Sequence, residues 1–314
     1  MVKCSVVVPY ANVGTRIINL LHSLENQSFR KQDFEVILVN NGEEDDIEQY
    51  VSCNEFSMNI KYYHYTKAGR SFARNFGIQK SVGELLIFVD GDEVVRDDFL
   101  KNHYDLYSKQ EKPSIQFGLK KQLFWDNEES FHDNRELLKN GERKLLTEME
   151  RYGFKESKTA YYIEDVRHKM LKVYNDDFAK VKYKMVFVQT SNLSIPADCI
   201  QKYGDFDENF KGWGIEDWEM EYRMEINSVP VLYNSSIEVL HQYHNAIYDK
   251  HRYSEWELNL EYMKKKYHND YINQIDIFKN FFNPEVRESI KAKDKNANVW
   301  MDCYKQIEGL AGSK

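Results

Sequence analysis

Five apolar residues, Leu85-Leu86-Ile87-Phe88-Val89, run straight into Asp90-Gly91-Asp92. An unbroken run of this kind suits a strand buried on both faces, as in a sheet covered by helices. In open α/β sheets, ligands collect at the carboxyl ends of strands. Two carboxylates there can hold a hard divalent cation, and Gly91 lets the backbone approach a bulky ligand. The same residue types also make an ordinary strand-to-loop turn, so the reading turns on what accompanies them.

A second acidic pair, Glu216-Asp217, comes after the Gly-rich stretch Gly212-Trp213-Gly214 and opens a helical segment. Acids at a helix start cap it and complement its dipole. One of the two is also placed to take a proton from a substrate hydroxyl. Trp213 and Trp218 beside them suit ring stacking on a ligand or packing in a core. His241, His244 and His251 suggest a zinc set, but no cysteine or further ligand is spaced to complete it.

The elements that must carry these residues alternate in type. Strands are expected over residues 4–8, 34–39 and 60–65, ahead of the run at 85–89. Between them lie helical patterns: Ile17, Leu20, Leu21 and Leu24 at helical spacing, then residues 45–51, then a helix opened by Gly69. This order predicts a doubly wound parallel sheet with right-handed crossovers. Residues 119–182 break the pattern, are rich in Lys, Glu, Asp and Tyr, and read as a helical insertion with a helix over 135–152. Further strands are expected at 185–189, 229–233 and 237–240. Residues 254–310 read as charged helices, with Trp256, Leu260 and Met263 on one stripe. The expected division is a domain over 1–253, carrying the insertion, and a helical region over 254–314.

The 314 residues suffice for one large domain or two small ones. With 42% hydrophobic and 30% charged residues the chain is globular. A net charge of -8 and the lack of a long basic tract argue against a nucleic-acid partner. An anionic substrate therefore needs a local device, such as a metal ion or a few placed arginines. No apolar stretch approaches the ~20 residues of a membrane span. The sequence starts on a strand-like segment with no signal peptide pattern. Cys4, Cys53, Cys199 and Cys303 form no Cys-x-x-Cys, as expected of reduced thiols in a cytoplasmic protein.

Taken in order, Val8-Pro9-Tyr10, Asn40-Asn41-Gly42, Ala73-Arg74-Asn75, Asp90-Gly91-Asp92 and Gly212-Trp213-Gly214-Ile215-Glu216-Asp217 resemble the family 2 glycosyltransferases of the GT-A fold. The downstream part is similar to the Trp-Gly-x-Glu-Asp region of chondroitin polymerases and animal galactosyltransferases. The resemblance covers roughly residues 4–117 and 185–245. It implies a nucleotide-diphosphate sugar as donor, a UDP-sugar above all. Pro9, Tyr10 and Asn40 would border the base, although the family usually has Asp where Asn40 or Asn41 stands. Arg74 and Asn75 would lie near the nucleotide, Asp90 at the ribose, and Trp213 at the nucleotide sugar. Asp92 would ligate the metal, joined by His241 of a His-Gln pair; carboxylate, imidazole and diphosphate ligands suit Mn²⁺, with Mg²⁺ as rival. Asp217 would be the base and Glu216 a ligand of sugar hydroxyls, in an inverting, metal-dependent transfer to a carbohydrate or peptide acceptor. The C-terminal helices or the insertion are expected to meet the acceptor or a second subunit, as in a homodimer.

Two rival classes compete with this reading. Val13-Gly14-Thr15-Arg16 resembles the Gly-Thr-Arg of sugar-nucleotide pyrophosphorylases, yet lacks their fuller Gly-rich phosphate loop. A non-catalytic sugar-binding module has no need of both an Asp-Gly-Asp and a Glu-Asp pair.

Overall fold

The computed structural model describes residues 1–66, 69–125, 144–154, 159–244, 249–293 and 298–309. Its strands are β1 (Cys4–Tyr10), β2 (Phe34–Asn40), β3 (Asn59–His64), β4 (Leu85–Phe88), β5 (Glu93–Val95), β6 (Ile115–Phe117), β7 (Lys120–Trp125), β8 (Lys144–Leu145), β9 (Ala160–Glu164), β10 (Leu193–Pro196), β11 (Val231–Tyr233) and β12 (Val239–Gln242). The helices used below are α1 (Arg16–Glu25), α2 (Ile47–Cys53), α3 (Arg70–Lys80), α4 (Phe99–Tyr107), α5 (Val166–Val173), α6 (Ala197–Tyr203), α7 (Glu216–Ile226) and α8 (Lys250–Tyr267).

The large sheet has the order β11-β6-β10-β4-β1-β2-β3. Strands β4, β1, β2 and β3 run parallel, as the alternation of strand and helix predicts. Strand β10 enters antiparallel between β4 and β6, so the sheet is mixed and not purely parallel. Both faces are buried. Val6, Val8, Leu85, Ile87 and Val89 feed one core, while Val7, Leu86 and Phe88 feed the other. This two-sided burial is why the sequence shows continuous apolar runs and no alternation.

A second sheet, β5-β12-β7-β9-β8, stands at the end of the first. It corrects the expectation of a helical insertion, since residues 119–182 supply β7, β8 and β9 before α5. Of the helix expected over 135–152, residues 135–143 lie outside the described residues. From residue 144 onward the same span holds β8 and a 3-10 turn at Met149–Tyr152. The strand expected at 185–189 is also corrected: Lys184–Val186 is a 3-10 turn, and the strand comes later as β10. Met185, Val186, Phe187 and Val188 are all buried in the core, so the apolar run reflects burial alone. A short apolar run carries no period that separates a strand from a buried turn.

The helices from α8 onward form as expected. Trp256, Leu260 and Met263 bury their side chains in the same core as Trp218, Met220 and Met224 of α7. Among the described residues no helix is long and apolar enough to cross a membrane. All four cysteines are free thiols, with Cys53 exposed.

Candidate active site

The first cluster forms where the two sheets meet. Antiparallel pairing sets His241 of β12 opposite Glu93 of β5, and the Gln242 amide donates to the Asp92 carbonyl at 2.9 Å. His241 Nδ1 then lies 3.4 Å from both Asp92 Oδ1 and Glu93 Oε1. His244 Nε2 stands 3.0 Å from Asp92 Oδ2. Asp92, His241 and His244 each offer a ligand atom, all within 4.8 Å of one another, and Asp90, Asp92 and Glu93 form a second such group.

Glu93 is fully buried, and Lys120 Nζ is 3.8 Å from it. Among the described residues, neither carboxylate oxygen of Glu93 has a hydrogen-bond partner, nor has His241 Nδ1. Burial pushes the Glu93 carboxyl above its usual range, against the pull of His241. Burial and Lys120 oppose charge on His241, but Glu93 and Asp92 outweigh them and raise it to about 9. Asp92 is held well below the usual carboxylate range: burial works against its charge, and the imidazoles of His241, 3.4 Å away, and of His244, hydrogen-bonded at 3.0 Å, overcome it. This pocket thus favours positive charge among carboxylate and imidazole donors, a donor set that fits a divalent cation such as Mn²⁺.

The second cluster is the acidic pair at the start of α7. The turn before it has positive φ at Gly212 (67°), Gly214 (91°) and Ile215 (76°). For β-branched Ile215 that conformation is strained, and such strain persists only where the surroundings over-determine it. A Cβ on Gly214 would lie 2.6 Å from Trp256 of α8, so no other residue fits against that helix. Glu216 is buried and accepts a hydrogen bond from Arg74 Nη1 at 2.9 Å. Its pKa is lowered because Arg74 and Arg70 outweigh the effect of burial. Asp217 moves the other way. Burial first, and then the charge of Glu216, push it up to about 7, with Arg74 opposing. Two adjacent carboxyls are thus pushed in opposite directions, Glu216 down and Asp217 up.

Arg74 joins the clusters. Burial opposes its charge, but Glu216, Asp90 and Asp217 together raise its pKa, so all three carboxylates act on one guanidinium.

The third group lies at the carboxyl ends of β1 and β2. Tyr10 and Tyr62 both donate to Asp45 Oδ1, at 3.2 and 3.4 Å. The Asn40 side chain is committed to its own loop, donating to the Glu43 carbonyl and accepting from the Gly42 amide, each at 2.9 Å. A Cβ on Gly91 would sit 2.5 Å from Tyr10 Cβ. The close approach that requires glycine there is thus to Tyr10, whereas the sequence suggested a ligand.

Residues 5–179 match the family model described as Glycosyl transferase family 2. This chain belongs to glycosyl transferase family 2. The glycosyltransferase is 26% identical over 312 residues to the uncharacterised glycosyltransferase YfnE of Bacillus subtilis, covering 92% of this chain and 77% of that one. It is 25% identical over 233 residues to validoxylamine A glucosyltransferase of Streptomyces hygroscopicus subsp. jinggangensis, covering 72% of this chain and about half (52%) of the relative. In fold it is similar to a Pyrobaculum calidifontis mannosyltransferase in complex with GDP-Man and Mn²⁺, with a TM-score of 0.58 at 12% identity, over 99% of this chain and 76% of that one. It is similar likewise to Staphylococcus aureus TarS 1-349 in complex with UDP-GlcNAc, with a TM-score of 0.54 at 15% identity, over 97% and 79% of the two chains. The fold is therefore GT-A, and the pyrophosphorylase-like and sugar-binding readings give way.

Within this glycosyltransferase, Asp92 and His241 come together, and Arg74 meets Glu216 with the charge of Asp217 nearby. Asn75 turns elsewhere: its amide holds the Phe206 backbone in both directions, at 2.8 and 2.9 Å, and donates to Glu208. Trp213 is half-buried, edge-on to Phe282, and Trp218 packs among Trp256 and Phe278. Pro9 is partly exposed near the end of β1. His251 is exposed and pairs with Glu255 at 3.7 Å, outside the Asp92 cluster. Sequence reasoning missed Glu93 and Lys120, whose approach depends on the second sheet. It also missed Asp45, one of four consecutive acids with nothing local to single it out.

Proposed function

We propose that this glycosyltransferase moves a sugar from a UDP-sugar to a hydroxyl of a carbohydrate or peptide acceptor, with a divalent cation, Mn²⁺ before Mg²⁺, and with inversion at the anomeric carbon. The observation that carries the reading is the split of the acidic pair, with Asp217 poised near pH 7 beside an ionised Glu216. An acceptor hydroxyl is too weak an acid to ionise beforehand, so its proton must leave during attack. Asp217 is the group that takes it, a role worth about 10²–10⁴ in rate. Glu216, fixed by Arg74, accepts hydrogen bonds from sugar hydroxyls.

Asp92, His241 and His244 would hold the cation, which when bound supplies positive charge to the leaving diphosphate. Asp90 faces the ribose. Pro9 and Tyr10 border the base, and Asp45 is the carboxylate on hand there in place of the amide of Asn40. Trp213 and the His241-Gln242 pair support the chondroitin-polymerase-like reading of the downstream half. Gln242 itself is buried and donates to the Arg16 carbonyl at 3.0 Å, tying β12 to α1. The same reading places the enzyme in the cytoplasm, with 1–253 as its catalytic domain and 254–314 as a helical region. Leu258, 71% exposed on α8, is the apolar group it offers to a second subunit or acceptor.

A panel of nucleotide sugars, assayed for hydrolysis and transfer with Mn²⁺, Mg²⁺ or EDTA, tests the reading, with NMR of the first-formed product. A metal-dependent UDP-sugar reaction giving the inverted anomer is expected. Activity untouched by EDTA removes the cation, and retained configuration removes the inverting scheme.

A further inference from the structure

The turn that aims Asp217 is held by a residue from the far end of the chain. Asn259 of α8 is 4% exposed and lies beneath Lys211–Gly214. Its Nδ2 donates to the Lys211 carbonyl at 2.8 Å and to the Gly214 carbonyl at 2.9 Å, with the Trp213 carbonyl at 3.4 Å. Its Oδ1 accepts from the Lys211 amide at 3.0 Å. One planar amide thus grips both ends of the turn, offering two N–H donors and an acceptor on one side chain, a combination that only Asn and Gln carry. Glu255 and Trp256, one helical turn earlier on α8, close over Gly212 and Gly214 so tightly that a Cβ at either glycine would collide. The stretch from Gly212 to Ile215 carries three positive φ values in four residues, a conformation that needs external support to persist. Glu216 and Asp217 come directly after it.

We infer that Asn259 is a positioning residue for the acidic pair: it locks the Lys211–Gly214 turn and thereby fixes where Asp217 points. The inference rests on the reading of Asp217 as base. It gives α8 a part in the reaction although both α8 and the turn lie outside the stretch that matches the family model. The arrangement obeys a general rule, that reacting groups need support holding them to within a fraction of an ångström.

The test uses the full chain with three substitutions. Asn259→Asp keeps the shape but turns both donor hydrogens into an oxygen facing carbonyls; Asn259→Ala removes the amide; Asp217→Asn is the reference. UDP-glucose, UDP-galactose, UDP-N-acetylglucosamine and UDP-N-acetylgalactosamine are each supplied with Mn²⁺, with water as acceptor. Misplacement of a reacting group by about 1 Å can cost about 10²-fold, so kcat for hydrolysis is expected to fall by about that factor in both Asn259 variants. Donor KM is expected to stay within about twofold, the signature of lost transition-state alignment and intact ground-state binding. Amide hydrogen exchange is expected to rise over 211–217 and nowhere else.

A fall in melting temperature with kcat per folded molecule unchanged makes Asn259 a purely structural residue and overturns the inference. So does unchanged exchange over 211–217 in Asn259→Ala. A slow Asp217→Asn beside a fast Asn259→Asp overturns this inference alone. A fast Asp217→Asn overturns the assignment of the base and the inference with it.

Discussion

Arg74 Nη1 meets Glu216 Oε1 at 2.9 Å, with 3% and 6% of their side chains exposed. The pair spans 142 residues and ties α3 to the start of α7. A buried ion pair contributes little net stability, yet removing one partner strands the other charge. Arg74→Ala is therefore expected to destabilise the protein by about 3–5 kcal/mol. Arg74→Met combined with Glu216→Leu is expected to regain most of that without regaining activity. Urea unfolding of the single and double variants, alongside turnover, checks both halves.

Asp217 links activity and stability with opposite signs. Its folded-state pKa is raised to about 7 from the usual 3.8, so the neutral form is favoured in the fold. Below about pH 4 that preference is fully expressed as stability, and it is lost as pH rises through about 7. A base must be ionised, so kcat is expected to climb over the same rise. Asp217→Asn is expected to melt higher than wild type at pH 8, to match it at low pH, and to lose about 10²–10⁴ in kcat. Melting curves from about pH 3.5 to 9 and rate profiles from about pH 5 to 9 measure it.

The Asp92 cluster makes a prediction that requires no knowledge of the sugar. Removing a group that orients a metal ligand typically lowers affinity about 10–100-fold, and Glu93→Gln is expected to fall in that range. Asp92→Ala and His241→Ala are expected to lose more than that, and His244→Ala to weaken binding as well. Titration calorimetry with Mn²⁺ on each variant, compared with Lys101→Ala as a surface control, gives the ranking. Equal affinities throughout would remove the cluster as a metal site.

Glu221 is a carboxylic acid with no part in this chemistry. It is fully buried on α7, and neither oxygen has a hydrogen-bond partner among the described residues. Burial, reinforced by Glu225, holds its pKa well above 4.5 against the pull of Lys184. The unfolded chain loses that proton more readily, so stability falls as pH rises above about 4.5. Glu221→Leu is expected to raise the melting temperature, by more at pH 8 than at pH 5. Calorimetric scans at the two pH values decide it.

What the sequence made legible was whatever is written locally. The runs of β1, β2 and β4 announce a sheet buried on both faces, and Asp92 and His241 each lie at the end of an apolar stretch. Glu216-Asp217 announces itself by the glycines before it. Long-range partners left no such trace. Glu93 is one residue past the Asp-Gly-Asp stretch, and only pairing of β5 with β12 reveals that it faces His241. Asn259 is one polar residue in a charged helix. Asn40 reads as facing a ligand because its place after β2 suits one, but the loop it caps uses both ends of its amide. The apolar run at 185–189 misleads because burial without sheet pairing has the same composition as a buried strand.

The distance along the chain between Asp92 and His244, 152 residues, also sets a schedule. A ribosome adding ~5–20 residues per second needs about 8–30 s to travel that far. Through that interval β5 lacks its β12 partner, and until residue 196 is made the edge of β4 lacks β10. The emerging chain therefore passes through a period with an apolar strand edge uncovered, the condition under which nascent proteins recruit chaperones. Assembly of the Asp92–His241–His244 cluster must wait until β12 has been made and pairs with β5.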